Sequence, residues 1–226
     1  MDVAILFSGG KDSTMALYEA LENGDNVRYL LSVKSLNDES YMFHVPNIHI
    51  TDLLAEALDI SILSVETNGV KEEELQDLKF AFEELKSFGI EGIYTGALYS
   101  VYQKSRIEKL GREVGLKIIS PYWHINELEY MKKIVSLGFK VVICGVAAWG
   151  LDESWLGRII DDKCIDDLVK LNEKYKVNIA FEGGEAETLV IDGPIFNKSI
   201  EILKYKKIWH LDSGVYIIED AKLKEK

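Results

Sequence analysis

Cysteine is nearly missing from this chain: Cys144 and Cys164 are the only two in 226 residues, with no C-x-x-C spacing. That scarcity excludes a disulfide framework, opposes a zinc site and suits a reducing compartment, the cytoplasm. Long apolar runs are missing too. The longest low-polarity stretch, residues 141–151, contains Gly145 and Gly150 and falls short of the roughly 20 residues that a membrane-spanning helix needs. The N-terminus, Met1-Asp2-Val3-Ala4-Ile5-Leu6-Phe7, has no basic leader, so no secretory signal is expected. Positive charge is in deficit: 26 Lys and Arg stand against 38 Asp and Glu, a net −12. A phosphate backbone would be repelled over most of such a surface, which argues against extended nucleic-acid binding.

What is present is enough apolar material for a core. At 47% hydrophobic, burial can offset the entropy of ordering, and a disordered chain is excluded. The first half alternates two hydrophobic periods. Residues 3–7 form a short continuous apolar run, the mark of a strand buried on both faces. After it, Met15, Leu17, Ala20 and Leu21 suit one face of a helix. The alternation continues with strands near 27–33, 60–65, 93–95 and 116–119, and helices near 51–58, 72–88 and 101–114. This predicts an α/β fold with a mostly parallel sheet and helices on both faces.

Beyond Pro121 the texture changes. A helix near 126–137, a strand at 141–146, a helix near 164–174 and a hairpin around Asp212-Ser213-Gly214 are expected, with a frayed Lys-rich tail over the last five residues. The expected boundary divides the chain into 1–121 and 122–226. The charge divides unevenly as well: residues 1–120 hold 11 basic and 20 acidic groups, a net −9, leaving −3 for the remainder.

The first strand runs into Ser8-Gly9-Gly10-Lys11-Asp12-Ser13. An open parallel sheet places phosphates there, outside a strand's carboxyl end and facing a helix N-terminus. Gly9 and Gly10 let backbone N–H groups approach phosphate oxygens, Lys11 adds a point charge, and the hydroxyls of Ser8 and Ser13 can donate. Asp12 would be repulsive unless it holds Mg²⁺ or pins the loop. A Walker loop needs Gly where Ile5 stands and Ser or Thr where Asp12 stands. A plain helix N-cap is the bland alternative.

Three later segments carry further chemistry. Glu182, Glu185 and Glu187 share a Gly-hinged acidic loop that runs through Thr188 to Pro194; they could bind a metal, move protons or hold a cation, or simply be solvated. Trp149 and Trp155 flank Asp152, Glu153 and Ser154, either as core or as a substrate wall. Gly96 follows a strand end, and the helix after it carries Lys104, Arg106, Lys109 and Arg112, the densest basic cluster in an acidic half.

Ser8–Ser13 resembles the pyrophosphate-binding loop of the N-type ATP pyrophosphatases. With residues 96–108, 150–157 and 184–194 in the same order, the chain resembles the diphthine–ammonia ligase family, including its archaeal members. The resemblance implies a parallel-sheet HUP-type (Rossmann-like) nucleotide-binding domain and a smaller C-terminal α+β substrate domain. It implies ATP and Mg²⁺ as cofactors and a reaction that turns diphthine, a modified histidine of translation elongation factor two, into diphthamide with ammonium. A homo-oligomer is compatible with it.

On that resemblance, Ser8–Ser13 binds pyrophosphate, with Lys11 and Asp12 catalytic and Asp12 on Mg²⁺. Main-chain groups near Ser32, together with Gly96, complete the nucleotide site. Glu185 or Glu187 serves as base. Tyr102, Trp149 or Trp155 would face the trimethylammonium group of diphthine, with Arg106, Asp152, Glu182 and Thr188 in the same substrate site. Three rivals remain: a tRNA-modifying enzyme with the same loop, a non-catalytic ATP-binding sensor, and a glutamine-dependent amidotransferase.

Overall fold

Val3, Ala4 and Ile5 are wholly shut off from solvent, as a strand covered on both faces must be. The computed structural model describes residues 1–35, 46–69 and 73–226. The chain divides into two compact units.

The first unit comprises Met1–Ser8, Asp12–Glu56 and Ile60–Trp123. Its strands are β1 (Asp2–Leu6), β2 (Asn26–Ser35), β3 (Ser61–Thr67), β4 (Gly92–Tyr94) and β5 (Lys117–Ile119). All neighbours pair parallel, in the order β3-β2-β1-β4-β5. Its helices are α1 (Lys11–Glu22), α2 (Thr51–Leu58), α3 (Glu73–Ser87) and α4 (Val101–Val114). The helix expected from Glu72 is described from Glu73; Glu72 itself lies outside the described residues.

Right-handed crossovers then put α1 and α2 on one face of the sheet and α3 and α4 on the other. Leu78, Phe82 and Leu85 of α3 join Ile107 and Leu110 of α4 in one buried cluster with Ala4, Leu31 and Ile93. Strand order reverses between β1 and β4, so the loops after these two strands open on the crevice where such sheets bind ligands.

The second unit comprises Gly9–Lys11, Ala57–Asp59 and His124–Lys226. It holds α5 (Glu127–Ser136), β6 (Lys140–Val146), α6 (Asp162–Tyr175), β7 (Ala186–Asp192), β8 (Lys198–His210) and β9 (Ser213–Glu225). The strands form an antiparallel sheet in the order β7-β6-β9-β8. The hairpin around Asp212 is present as β8–β9, 13 residues per strand.

Two expectations are corrected. The tail is not frayed: β9 continues to Glu225, and the Lys226 ammonium bonds Asp192 at 2.7 Å and the Gly193 carbonyl at 2.7 Å. Burial raises the Asp192 pKa, but the ammonium groups of Lys226 and Lys140 and the Gly193 N–H outweigh it and hold the carboxyl below its ordinary range. The acidic loop is also shorter than expected. Glu187 and Thr188 lie on β7, because Thr188, Leu189 and Val190 are buried as core.

Candidate functional site

Gly9 sits at φ +79°, a left-handed conformation that favours glycine, and it turns the chain from β1 into α1. The Ser8 N–H donates to Ser13 Oγ at 3.2 Å, and the two hydroxyls lie 3.2 Å apart. The serines thus close the loop on itself. Asp12 falls in the first turn of α1, where the helix dipole favours a carboxylate. A Cβ added to Gly96 would lie 2.5 Å from the Asp12 carbonyl carbon and 2.7 Å from the Ser13 nitrogen. Gly96 is therefore what lets the loop after β4 pack directly against the first turn of α1.

The middle of the loop belongs to the second unit. Val190 N–H donates to the Gly9 carbonyl at 2.8 Å, and the Lys11 N–H donates to Thr188 Oγ1 at 3.1 Å. Residues 9–11 run along β7, the edge strand of the antiparallel sheet. The Lys11 ammonium lies 5.8 Å from the centre of the Phe181 ring, and the residue is only 3% exposed. A lysine that is to meet phosphates is ordinarily open to solvent, and Lys11 is not. The aliphatic stem packs as apolar surface while the charge rests on an aromatic face. Phe181 itself has φ +65°, an outlier for a bulky residue.

Phe181 is held there by a network around Asn178 and Glu185. The Glu185 carboxylate accepts from Asn178 N–H at 2.9 Å and from Gly183 N–H at 2.8 Å. Asn178 Oδ1 accepts from Ala180 and Glu182 N–H, and its amide donates to Glu127 Oε1 at 2.7 Å. The Glu185 carboxylate is thus a cap for its own loop. Glu187, by contrast, is exposed on β7. We predict that Asn178→Ala costs about 2–3 kcal/mol, since several hydrogen bonds go at once; thermal unfolding should shift down by about 5–10 °C. An unchanged melting temperature would remove the network from the account.

The aromatic candidates separate. Trp155 is buried, with the Arg158 guanidinium 4.5 Å from its ring centre and Arg158 paired to Asp167 at 2.7 Å. Its face is occupied. Tyr102 carries the Arg106 guanidinium 3.5 Å from its ring centre, one turn away on α4. Trp149 is 77% exposed. Asp152 accepts from Ser154 N–H at 2.9 Å and caps the short 3₁₀ turn Glu153–Trp155.

Ser32 is fully buried and donates to Thr51 Oγ1 at 3.3 Å, so its hydroxyl is structural. Backbone alternation turns Val33 toward the side on which β1 has already ended at Leu6, opposite Leu31. One residue escaped sequence reasoning: Thr14, in the first turns of α1, has the only buried side-chain polar atom without a hydrogen-bond partner among the described residues. Nothing in the sequence separates it from an ordinary helical threonine.

The loop supplies main-chain donors, a cation and a helix N-terminus, which fits a polyphosphate. No group of three metal-ligating side chains occurs among the described residues. No helix among the described residues is long and apolar enough to cross a membrane.

Comparison with known proteins agrees along the chain. A family described as the diphthamide synthase N-terminal domain matches residues 1–118, and one described as the diphthamide synthase C-terminal domain matches residues 126–224. The diphthine–ammonia ligase of Mus musculus is 31% identical over 230 residues, covering 93% of this chain and 86% of that protein. The Homo sapiens protein of the same name is 30% identical with the same coverage. The Schizosaccharomyces pombe one is 30% identical over 244 residues, covering 100% of this chain and 40% of that longer protein. A solved structure described as a predicted subunit of tRNA methyltransferase from Methanocaldococcus jannaschii DSM aligns at TM-score 0.46 and 19% identity, covering 86% of this chain and 98% of that one. That likeness is too loose to argue from. With both halves matched and relatives aligned over most of its length, the chain belongs to the diphthine–ammonia ligase family.

Proposed function

We propose that this chain amidates diphthine on translation elongation factor two to diphthamide, consuming ATP and ammonium and releasing AMP and pyrophosphate. One observation carries the reading: in a chain of this family, the glycine-hinged loop Ser8–Ser13 lies at the switch point of a β3-β2-β1-β4-β5 sheet. The first unit, with residues 9–11, takes the nucleotide; the rest of the second unit takes the diphthine.

Diphthine presents a carboxylate that ammonia does not attack unaided. The carboxylate attacks the α-phosphorus of ATP, forming an acyl-adenylate and expelling pyrophosphate. Ammonia then attacks the acyl carbon, AMP leaves, and one proton is released. Main-chain N–H groups of the loop, apart from that of Lys11, which donates to Thr188 Oγ1, and the Lys11 ammonium stabilise the charge on the departing pyrophosphate. Asp12 would hold Mg²⁺, which would supply further neutralisation of the phosphates. The main chain around Val33 would read the adenine edge.

Glu185 or Glu187 would take the proton from ammonium; Glu185 already accepts from two backbone donors. Trp149 is the best placed of the three aromatic residues to receive a trimethylammonium group, since both others carry an arginine on the ring. Asp152 and Glu182 add negative charge in the same unit.

Free ammonium is the nitrogen source. A glutaminase nucleophile must be an accessible thiolate. Cys144 and Cys164 are both fully buried. Burial pushes the Cys164 thiol up to about 11.

The test of the acyl-adenylate is isotope exchange. Labelled pyrophosphate should enter ATP only when the diphthine-bearing factor is present, and without any ammonium. Exchange that ignores the factor, or formation of ADP, would refute the mechanism.

A further inference from the structure

On the outer face of the first unit, α3 and α4 border a groove of about 510 Å³. Lys79 from α3 and Arg106, Lys109 and Arg112 from α4 line it, with Glu113 the one carboxylate among the described lining residues. Four of the 11 basic residues in the first 120 positions therefore converge on one groove of a segment whose net charge is −9. Glu113 is shared between Lys79 at 3.0 Å and Lys109 at 4.0 Å, so among the described lining residues basic side chains outnumber acidic ones.

Arg106, Lys109 and Arg112 follow one another at three-residue steps along one face of α4. Like charges on adjacent turns cost the helix a few tenths of a kcal/mol per pair. Glu113, four residues after Lys109, is the acid set among them on that face. Phe80, the residue after Lys79 on α3, is 59% exposed next to the groove's lining rather than in it, and Leu110 lines the groove. Arginine with an exposed aromatic is the composition of a protein interface. A bare phosphate has no use for Phe80, and a long nucleic acid would meet the surrounding negative charge.

We propose that this groove docks an acidic segment of the diphthine-bearing protein, giving the enzyme a hold on its substrate outside the reacting centre. The inference rests on the proposed function and names a contact made by the protein substrate. The α4 cations span about 9 Å, room for two carboxylates on alternate residues of an extended chain at about 7 Å. The segment's charge would do the steering and its apolar neighbours would cover Phe80.

The test is amidation kinetics with the full chain and intact diphthine-bearing elongation factor. Lys109→Glu combined with Arg112→Glu changes two exposed residues outside the nucleotide loop and the acidic loop. The KM for the factor should rise about tenfold or more at low salt, while kcat and the KM for ATP stay within about twofold. The wild-type KM should climb between about 50 and about 300 mM salt, and the variant's should climb far less. An unchanged KM in a working enzyme would overturn the docking site alone. A KM difference that appears only when RNA is added would assign the groove to nucleic acid and overturn it too. A wild type that amidates no factor at any salt would defeat the proposed function, and this inference with it.

Discussion

Lys11→Met should lower ATP turnover by about two to three orders of magnitude, the usual cost of deleting one preorganised donor to a developing anion, while the protein still folds. Methionine is chosen because Lys11 is buried against Phe181. It preserves most of the apolar stem and removes only the charge. Lys11→Ala should lose turnover equally and also melt lower, because it leaves a cavity beneath the ring. Comparing the two variants separates the role of the charge from the role of the packing. Wild-type turnover in Lys11→Met, at saturating and at limiting ATP alike, would remove the lysine from the chemistry.

The second large effect is expected from a single methyl group. In Gly96→Ala the new Cβ would lie 2.5 Å from the Asp12 carbonyl carbon and 2.7 Å from the Ser13 nitrogen. Neither backbone atom can swing aside as a flexible side chain could, so the first turn of α1 must retreat. Overpacking of this kind costs about 1–3 kcal/mol. The retreat moves the phosphate-facing N–H groups, and a displacement near 1 Å at a reacting site can cost about a hundredfold in rate. Turnover should therefore fall much further than stability. Normal ATP affinity and rate in a folded Gly96→Ala protein would show that the contact between Gly96 and α1 plays no part in catalysis.

The parallel sheet was legible because its strands are short continuous apolar runs: residues 3–7 could be little else. The helices after them carry one apolar stripe each, and α2 and α4 fall at the expected residues. The nucleotide loop was legible because its chemistry is local, six consecutive residues between a strand and a helix.

What was not legible depends on distant partners. Nothing near Lys11 announces Phe181, 170 positions away, so a charged residue reads as exposed. Glu185 and Glu187 look equivalent in a row of acids; only the folded loop gives Glu185 two backbone donors. Trp149 and Trp155 likewise look alike until Arg158 covers one of them. The tail of β9 alternates Lys with apolar residues, which reads as solvated until β8 pairs with it along its length. The groove needs Lys79 beside α4, a neighbour supplied by the sheet and not by the sequence.

The most direct test of the central claim follows nitrogen and nucleotide together. The purified chain is incubated with ATP, Mg²⁺, isotopically heavy ammonium and diphthine-bearing elongation factor two, and the modified histidine and the nucleotides are analysed. The account predicts heavy nitrogen in a diphthamide carboxamide and one AMP formed for each histidine converted. ADP in place of AMP, AMP formed without the factor, or diphthamide whose nitrogen comes only from added glutamine would contradict it.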